Sequence, residues 1–481
     1  MPSSARIALV VLMLWLVPWT DAAARLPPAV LQALAKANVP PEAVAVVVQD
    51  VSGPVRTRLA WRADEPMNPA SLTKLLTTYA ALDLLGPAWT WTTPVWVQGS
   101  VDADGVLDGN LVIKGSGDPK LVLERVWLLL RRVQQLGIRE IRGDIVLDRS
   151  AFVVPEQNPA DFDGEPLRPY NVRADALLLN YRAFVLTLTP DAQRNVAAIG
   201  FEPPLAGVKV DANVPLLAGP CEDWRGALKA DFSDPQRIRL AGGFPAACGE
   251  RAWALAYGEP KVYNERLLGG LWRELGGKLG GTVRDGPAPA TRPTFEVASP
   301  ALADVIREIN KFSNNVMAQQ LFLTLGLQRG GAGTPEGARE VLRRWLQDRL
   351  GPKNLEGTVI DNGSGLSRET RLSAQTLARL LQSAFASPVM PELMASLPVS
   401  GIDGTLTRSR GAPGRAHLKT GSLRDVAGVA GYVLGPAGRR MVLVALVNHP
   451  NANAARPAFD ALVQWAVTES AGPPPTNDQV N

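Results

Sequence analysis

The sequence predicts an α/β (α+β) fold: an antiparallel sheet with flanking helices, interrupted by inserted strand-rich domains. Three observations carry that expectation. Helical patterns cluster at both ends of the 481-residue chain. A long middle stretch alternates short strand-like segments with turn residues instead. Near the C-terminus the hairpin pattern "VAGVAGYVLGPAGRRMVLVALVNHP" sits between a strand, "RAHLKTGS", and a helix, "ARPAFDALVQWAVTE". Helix-rich ends around a strand-rich middle read as one domain whose chain leaves and returns.

In chain order, the first segment, "MPSSARIALVVLMLWLVPWTDAAARLPP", has an early cation at Arg6, an apolar core from Ile7 to Val17 and an A-x-A arrangement at Ala22 to Ala24. That is the layout of a signal peptide over residues 1–24, with a core short for a membrane span. An uncleaved anchor is the alternative, and on either reading the body is exported. "PPAVLQALAKANVP" then reads as a helix and "AVAVVVQDVSG" as a strand.

"NPASLTKLLTTYAALDLLGP" follows, a punctuated helix. Asn68 is its cap, Pro69 its first position, Leu72, Leu75, Leu76, Tyr79 and Leu82 its apolar stripe, and Gly86 and Pro87 its stop. Its first turn carries Ser71 and Lys74, although a lysine there opposes the helix macrodipole.

From Trp89 onward, "TTPVWVQGSV", "GVLDGNLVIKGSGDP" and "GDIVLDRSAF" read as strands around a helix near "LVLERVWLLLRRVQQLG". Positions 180–245 are turn-rich, with short strands such as "FVLTLTP" and "RIRLAGGF". A helix at "YNERLLGGLWRELGGKLGG" leads to the Pro-rich "RDGPAPATRP", a plausible boundary. Beyond it, "ALADVIREINKF" and "NVMAQQLFLTLGL" read as helices flanking a polar break.

Composition removes several function classes. With 46% hydrophobic and 20% charged residues the chain is ordinarily globular, and a net charge of +4 spread over scattered basic residues gives no reason to assign a nucleic-acid partner. No second apolar run is long enough to span a membrane, so at most weak membrane association is expected. Only His417 and His449 are present, too few for a Ser-His-Asp triad or a His-rich metal site, and no metal or cofactor is expected. "ELGGKLGG" fails as a phosphate loop, because Trp272 and Leu279 stand where glycine and Ser/Thr belong. In an exported chain the two cysteines, Cys221 and Cys248, read as a disulfide, with two buried thiols as the alternative.

A serine nucleophile without histidine needs another base, and a lysine one helical turn away can serve if burial and nearby cations lower its pKa. Ser71 and Lys74 have that spacing. Two further motifs accompany them: Ser313, Asn314 and Asn315 at the break between two helices, and Lys419, Thr420 and Gly421 on a strand before the hairpin. Each has a plain alternative. Ser71 and Lys74 can be ordinary first-turn residues, Ser313 a helix cap with Asn315 in the first turn, and Lys419 a solvated strand residue. All three in this order, each in a matching structural context, make coincidence a poor account.

With S-x-x-K, S-x-N and K-T-G in place, the chain resembles the active-site-serine penicillin-binding proteins and serine β-lactamases. The long separation of the first two motifs, together with "IKGSGDP", "DNGSGLSRETR" and "GIDGTLTRS", makes it similar to the class C D-alanyl-D-alanine carboxypeptidase/endopeptidases. No convincing E-x-x-x-N segment of the class A β-lactamase kind is present. The resemblance implies a β-lactamase/transpeptidase-like catalytic domain at 25–86 and 290–472, an inserted domain at 87–179 and 246–289, a nested domain at 180–245 and a disordered tail at 473–481.

It also implies roles. Ser71 would attack the carbonyl between two D-alanines, with Lys74 taking its proton. Ser313 would relay a proton to the leaving amine, with Lys419 tuning its charge, and Asn315 would hold the substrate amide. Lys419 and Thr420, with Gly421, would bind the terminal carboxylate, and the backbone N–H groups of Ser71 and Ser422 would form the oxyanion hole. Partners would be peptidoglycan peptides ending in or cross-linked through D-Ala, with β-lactams as inhibitors, in the periplasm. Arg368 would border the cleft or form a structural ion pair. Asp163, in the acidic loop "DFDGEP", would meet a substrate amino group or remain a solvated acid. A β-lactamase and a non-catalytic wall-binding scaffold remain as alternatives.

Overall fold

The computed structural model of the chain describes residues 25–51, 55–435 and 438–469; the expected signal peptide at 1–24 and the tail at 473–481 lie outside these. Its organising element is a five-stranded antiparallel sheet in the order Ala416–Leu423, Val426–Leu434, Arg440–Asn448, Val44–Asp50 and Thr57–Trp61. The strand "VAVVVQD" is apolar at successive positions because both of its faces are covered. Val44, Val46 and Val48 face the packed N- and C-terminal helices, Pro28–Lys36 and Arg456–Glu469. Ala45 and Val47 face a second core built around the helix Thr73–Leu85.

That helix departs from the expected stripe. Every residue from Thr73 to Leu82 is buried, because the sheet covers one side while the helices Leu302–Lys311, Asn315–Gly330 and Pro335–Leu350 enclose the rest. Its threonines are satisfied locally: Thr73 Oγ1 donates to Ala70 O, Thr77 Oγ1 to Gly363 O and Thr78 Oγ1 to Lys74 O. Four further helices belong to the described fold and were not individually expected: Trp224–Ala227, Pro335–Leu350, Ala374–Phe385 and Met390–Ser396.

The chain leaves this body after Leu85 and returns before Leu302. The departing strand Thr92–Val101 pairs antiparallel with the returning strand Phe295–Ala298, within a seven-stranded mixed sheet. The Pro-rich stretch taken as a boundary therefore falls inside the inserted region, connecting Val283–Asp285 to that last strand. A second sheet, ordered Phe244–Pro245, Asn213–Leu217, Val196–Glu202, Ala183–Asp191 and Arg251–Ala256, runs past the expected nested boundary at 245. A short three-stranded sheet lies beside it. Both larger inserted sheets share one apolar core, in which Leu111 and Ile145 join Leu186 and Phe244. The Cys221 and Cys248 sulfurs are bonded to each other within this region. Among the described residues, no helix is long and apolar enough to cross a membrane.

Gln320, fully buried on the helix Asn315–Gly330, ties the insert to the body. Its Oε1 accepts the Asp175 N–H at 2.9 Å, and its Nε2 donates to Asp175 O at 2.9 Å and Gly117 O at 3.2 Å. Replacing one partner of a buried network strands the others without water, at about 1–3 kcal/mol for each stranded group. Gln320→Leu is therefore expected to lower the melting temperature by several degrees, about 2–4 kcal/mol in unfolding free energy. An unchanged melting temperature by scanning calorimetry would refute this account of the junction.

Candidate active site

The expected cap and first helical position prove to be a separate structure. Asn68 Oδ1 accepts the Ala70 N–H at 2.9 Å, Ala70 takes a positive φ of 46°, and a 3₁₀ turn, Ala70–Leu72, precedes the α-helix Thr73–Leu85. A regular helix start would leave Ser71 in line with the first turn, whereas this kink sets it at the rim. Asn68 is pinned from both sides: Asn448 Oδ1 accepts its N–H, Asn448 Nδ2 donates to its carbonyl, and its own Nδ2 donates to Ser367 O. Two glycines permit the packing. A Cβ on Gly365 would lie 1.9 Å from Ala70 O, and one on Gly421 would lie 2.7 Å from Pro69 O. The glycine of K-T-G thus lets its strand close on the Ser71 turn.

Lys74 is fully buried. Its Nζ lies 2.9 Å from Ser71 Oγ, 2.7 Å from Asn315 Oδ1 and 2.6 Å from the Ser364 carbonyl. No carboxylate is among these partners. Burial, with the Lys419 charge second, holds its pKa well below the ordinary lysine value. Ser364 was missed as a partner in the sequence because it acts through its backbone carbonyl, which any residue at that position would supply. The motif "DNGSGLSRETR" marks the place but not the atom.

Ser313 does not cap the next helix. Asn314 does, its Oδ1 accepting the Met317 N–H at 3.0 Å, and Asn315 is the first residue of the helix Asn315–Gly330. Ser313 instead adopts a positive φ of 56°, a strained choice for a residue with a Cβ, and its hydroxyl meets Lys419 Nζ at 2.8 Å. Lys419 is fully buried rather than solvated, donates also to Thr420 O at 2.7 Å, and is pushed down to about 7 by burial. The chain therefore brings Ser71, Lys74 and Asn315 into one hydrogen-bonded set and Ser313 with Lys419 into a second, near enough for the Lys419 charge to act on Lys74.

The strand Ala416–Leu423 is the sheet edge beside them. Leu418 N–H points away from the sheet, to Pro398 O, and the two-residue period turns the N–H groups of Thr420 and Ser422 the same way. Thr420 Oγ1 bonds Thr405 Oγ1 at 2.7 Å, and Ser422 Oγ donates to Asn453 Oδ1 at 2.8 Å. The Ser422 hydroxyl is thus engaged elsewhere, leaving its backbone to the cleft.

Ser71, Ser313, Asn315 and Ser422 line a cleft of about 820 Å³ whose opposite wall comes from the insert. Arg368 lines this cleft, pairs with Asp425 at 2.7 Å and lies 4.9 Å over the Phe162 ring. Asp163 also lines it. Partial burial raises the Asp163 pKa, but hydrogen bonds from Tyr170 O–H, Asn171 Nδ2 and the Glu165 N–H outweigh that and leave it below the usual carboxylate range. Asn180 and Tyr181, wall residues that the sequence did not single out, belong with Arg182 to three successive residues of positive φ, 43°, 52° and 46°. No compositional signal marks such a left-handed turn apart from the tolerance of Asn180 for it.

Fold and serine–lysine centre together define the class: a penicillin-binding protein of the serine β-lactamase superfamily. Residues 28–469 match the model of the D-Ala-D-Ala carboxypeptidase 3 (S13) family, and the chain belongs to that family. It is 29% identical over 439 residues to a D-alanyl-D-alanine carboxypeptidase from an Actinomadura species, covering 85% of this chain and 78% of that one. It is 24% identical to D-alanyl-D-alanine carboxypeptidase DacB from Haemophilus influenzae, covering 79% and 80%. The crystal structure of penicillin binding protein 4 (dacB) from Haemophilus influenzae superposes with a TM-score of 0.71 at 21% identity, over 90% of this chain and 99% of that one.

A buried lysine with a depressed pKa binds fewer protons folded than unfolded, so folding costs least above its unfolded pKa and most below its folded one. For Lys419 that window opens near pH 7 and runs up to the ordinary lysine range. Measured against Lys419→Met, which removes this titration, wild-type stability is expected to rise by about 2 kcal/mol between pH 7 and 9. A constant difference across that range in paired denaturant titrations would refute the lowered Lys419 pKa.

Proposed function

We propose that the protein is an exported serine D-alanyl-D-alanine carboxypeptidase and D,D-endopeptidase acting on peptidoglycan peptides through a Ser71 acyl-enzyme. The observation that carries this reading is Lys74: fully buried, without a carboxylate partner, and 2.9 Å from Ser71 Oγ. A lysine so placed is neutral over an unusually wide range and can accept a hydroxyl proton.

In the proposed mechanism Ser71 Oγ attacks the carbonyl preceding the terminal D-Ala while its proton passes to Lys74 Nζ. The oxyanion is met by the outward N–H of Ser422 and the first-turn N–H of Ser71, donors that need no reorganisation. The Lys419 ammonium and the Thr420 hydroxyl bind the substrate's terminal carboxylate. As the C–N bond breaks, Ser313, held by Lys419, gives its proton to the leaving amine and takes up the one that Lys74 had accepted from Ser71, so the hydroxyl is restored and Lys74 is neutral again. Asn315 spends its Oδ1 on Lys74, which leaves its amide N–H₂ for a substrate carbonyl. Water then enters, with Lys74 again as base, and releases the shortened peptide. When the leaving amine belongs to a neighbouring stem, the same steps cut a cross-link.

Asp163 and Arg368, both lining the cleft, would meet an amino group and a carboxylate of the substrate side chain. The body at 25–86 and from Leu302 onward would be the catalytic domain, carrying an insert that closes with the strand Phe295–Ala298 and holds a nested unit beginning at 180. Residues 1–24 would direct export to the periplasm and be removed. A related fold supports inhibition by β-lactams: a predatory endopeptidase from Bdellovibrio bacteriovorus, with a TM-score of 0.51 at 14% identity, is described in a penicillin G-acylated form. Family membership speaks against a wall-binding scaffold, and no glutamate joins the hydrogen-bonded group around Ser71 to favour a β-lactamase.

Intact mass after incubation with benzylpenicillin tests the reading. A single long-lived adduct on wild type, absent from Ser71→Ala, is expected. Lys74→Arg, which stays charged at every working pH, should slow acylation about 10²- to 10⁴-fold. Since Lys74 must be neutral to act and its pKa is depressed, the acylation rate should climb with pH and level off well below the ordinary lysine pKa. Rapid drug hydrolysis without an adduct would point to a β-lactamase, and folded protein giving neither would sink the catalytic reading.

A further inference from the structure

The active-site cleft does not end at its visible rim. Phe162, Tyr170, Asn315, Leu366 and Arg368 line both the 820 Å³ cleft and a second cavity of about 320 Å³. That second cavity shares Val154, Gln157, Val172, Arg173 and Ala174 with a third, of about 520 Å³. The three adjoin one another in a row along the segment 154–173, with lining residues in common at each junction.

The segment is a bridge rather than a free loop. At its start Phe152 pairs with Gly333, and the Val153 N–H donates to Gly333 O at 3.0 Å. At its end Asp175 is fixed by Gln320. Both attachments are to the catalytic body, so the span and the space along it are held in place.

Arg173 stands where the second and third cavities meet. Its charge is poorly answered. Nη2 donates to the Asn158 carbonyl at 2.9 Å and its carboxylate neighbour, Asp161, is 3.9 Å away, while its buried Nε has no acceptor. The neighbouring cations differ. Arg339 reaches Glu336 at 2.6 Å, Arg368 reaches Asp425 at 2.7 Å, Lys261 reaches Glu156 at 2.6 Å, and Arg149 and Arg182 both close on Asp175. Burial lowers the Arg173 pKa and Asp161 only partly restores it, which is the mark of a guanidinium short of an anion.

We propose that the passage along residues 154–173 is a second substrate subsite, in which Arg173 binds a carboxylate carried by the peptide remote from the bond that Ser71 cuts. The subsite rests on the peptidase reading. A planar guanidinium that lines the passage, with one carbonyl and one distant carboxylate as its only partners, suits a carboxylate oxygen, and a charge-assisted bond in a half-buried passage is stronger than one at an open surface. Small ligands that fill only the first cleft would not reach it.

Two synthetic peptides ending in D-Ala-D-Ala, identical but for a remote free carboxylate or its primary amide, provide the test, with benzylpenicillin acylation as the control. Wild type should favour the carboxylate peptide through KM. Arg173→Gln should raise KM for that peptide about 10-fold with kcat unchanged, leave the amide peptide unaffected, and keep the wild-type acylation rate. Arg173→Lys should recover part of the loss. Equal effects on both peptides, no effect on either, or a wild type indifferent to the carboxylate would overturn the subsite. Loss of benzylpenicillin acylation from wild type itself would instead overturn the peptidase reading, so the two failures are separable.

Discussion

Two lysines without carboxylate partners are buried side by side, each against its own serine hydroxyl, and the surrounding architecture works against the cost of keeping them there. An isolated ammonium in the interior of a protein is expensive enough that it sheds its proton or finds a partner. Lys74 and Lys419 are instead surrounded by neutral acceptors: hydroxyls, an amide oxygen and two carbonyls. A carboxylate in their place would return both pKa values to the ordinary range and leave Ser71 without a base. The neutral set is a functional choice, because it satisfies the nitrogens' geometry while withholding the charge that would quench them.

Backbone strain and close approach collect at the same spot. Ala70 and Ser313 hold positive φ angles on either side of the serine–lysine group, and Gly365 and Gly421 bring two further segments within contact of the Ser71 turn. Strain of this kind, of order 1–3 kcal/mol per residue, persists only where the surroundings over-determine it. Here they do: the helix Thr73–Leu85 is enclosed on all sides, and Asn68 and Asn448 lock its entry to the sheet. The rigid core sets the position of Ser71, and the edge strand Ala416–Leu423 approaches it from the one direction left open.

The strand and helix pattern of the body was readable because each element has a strong period, as in "VAVVVQD" or the hairpin Val426–Asn448. The three motifs were readable because their chemistry depends on side chains. What stayed hidden depends on the backbone or on tertiary packing. Ser364 contributes a carbonyl, the 3₁₀ turn at Ala70–Leu72 arises from neighbours remote in sequence, and the Thr73–Leu85 helix looked amphipathic only because its threonines and Lys74 interrupt an apolar run. The insert boundary at 290 was displaced for a related reason. Proline marks a turn, but whether that turn lies between domains or between two strands of one sheet is decided by pairing, here between Phe295–Ala298 and Thr92–Val101.

The insert is built as part of the cleft rather than as an appendage. Its outgoing and returning strands pair with each other, which fixes the insert's base. Gln320 then bonds it to the very helix whose first residue, Asn315, contacts Lys74. One helix therefore registers both Lys74 and the wall that faces it, and a shift of the insert would be felt at Asn315 through a rigid element. The left-handed turn Asn180–Arg182 extends the same logic. Asn180 and Tyr181 line the cleft while Arg182 reaches back to Asp175, the residue that Gln320 holds. Serine chemistry needs only the catalytic body, so the stiffness of these connections is best explained by a substrate that must be held on both walls while the bond is cut.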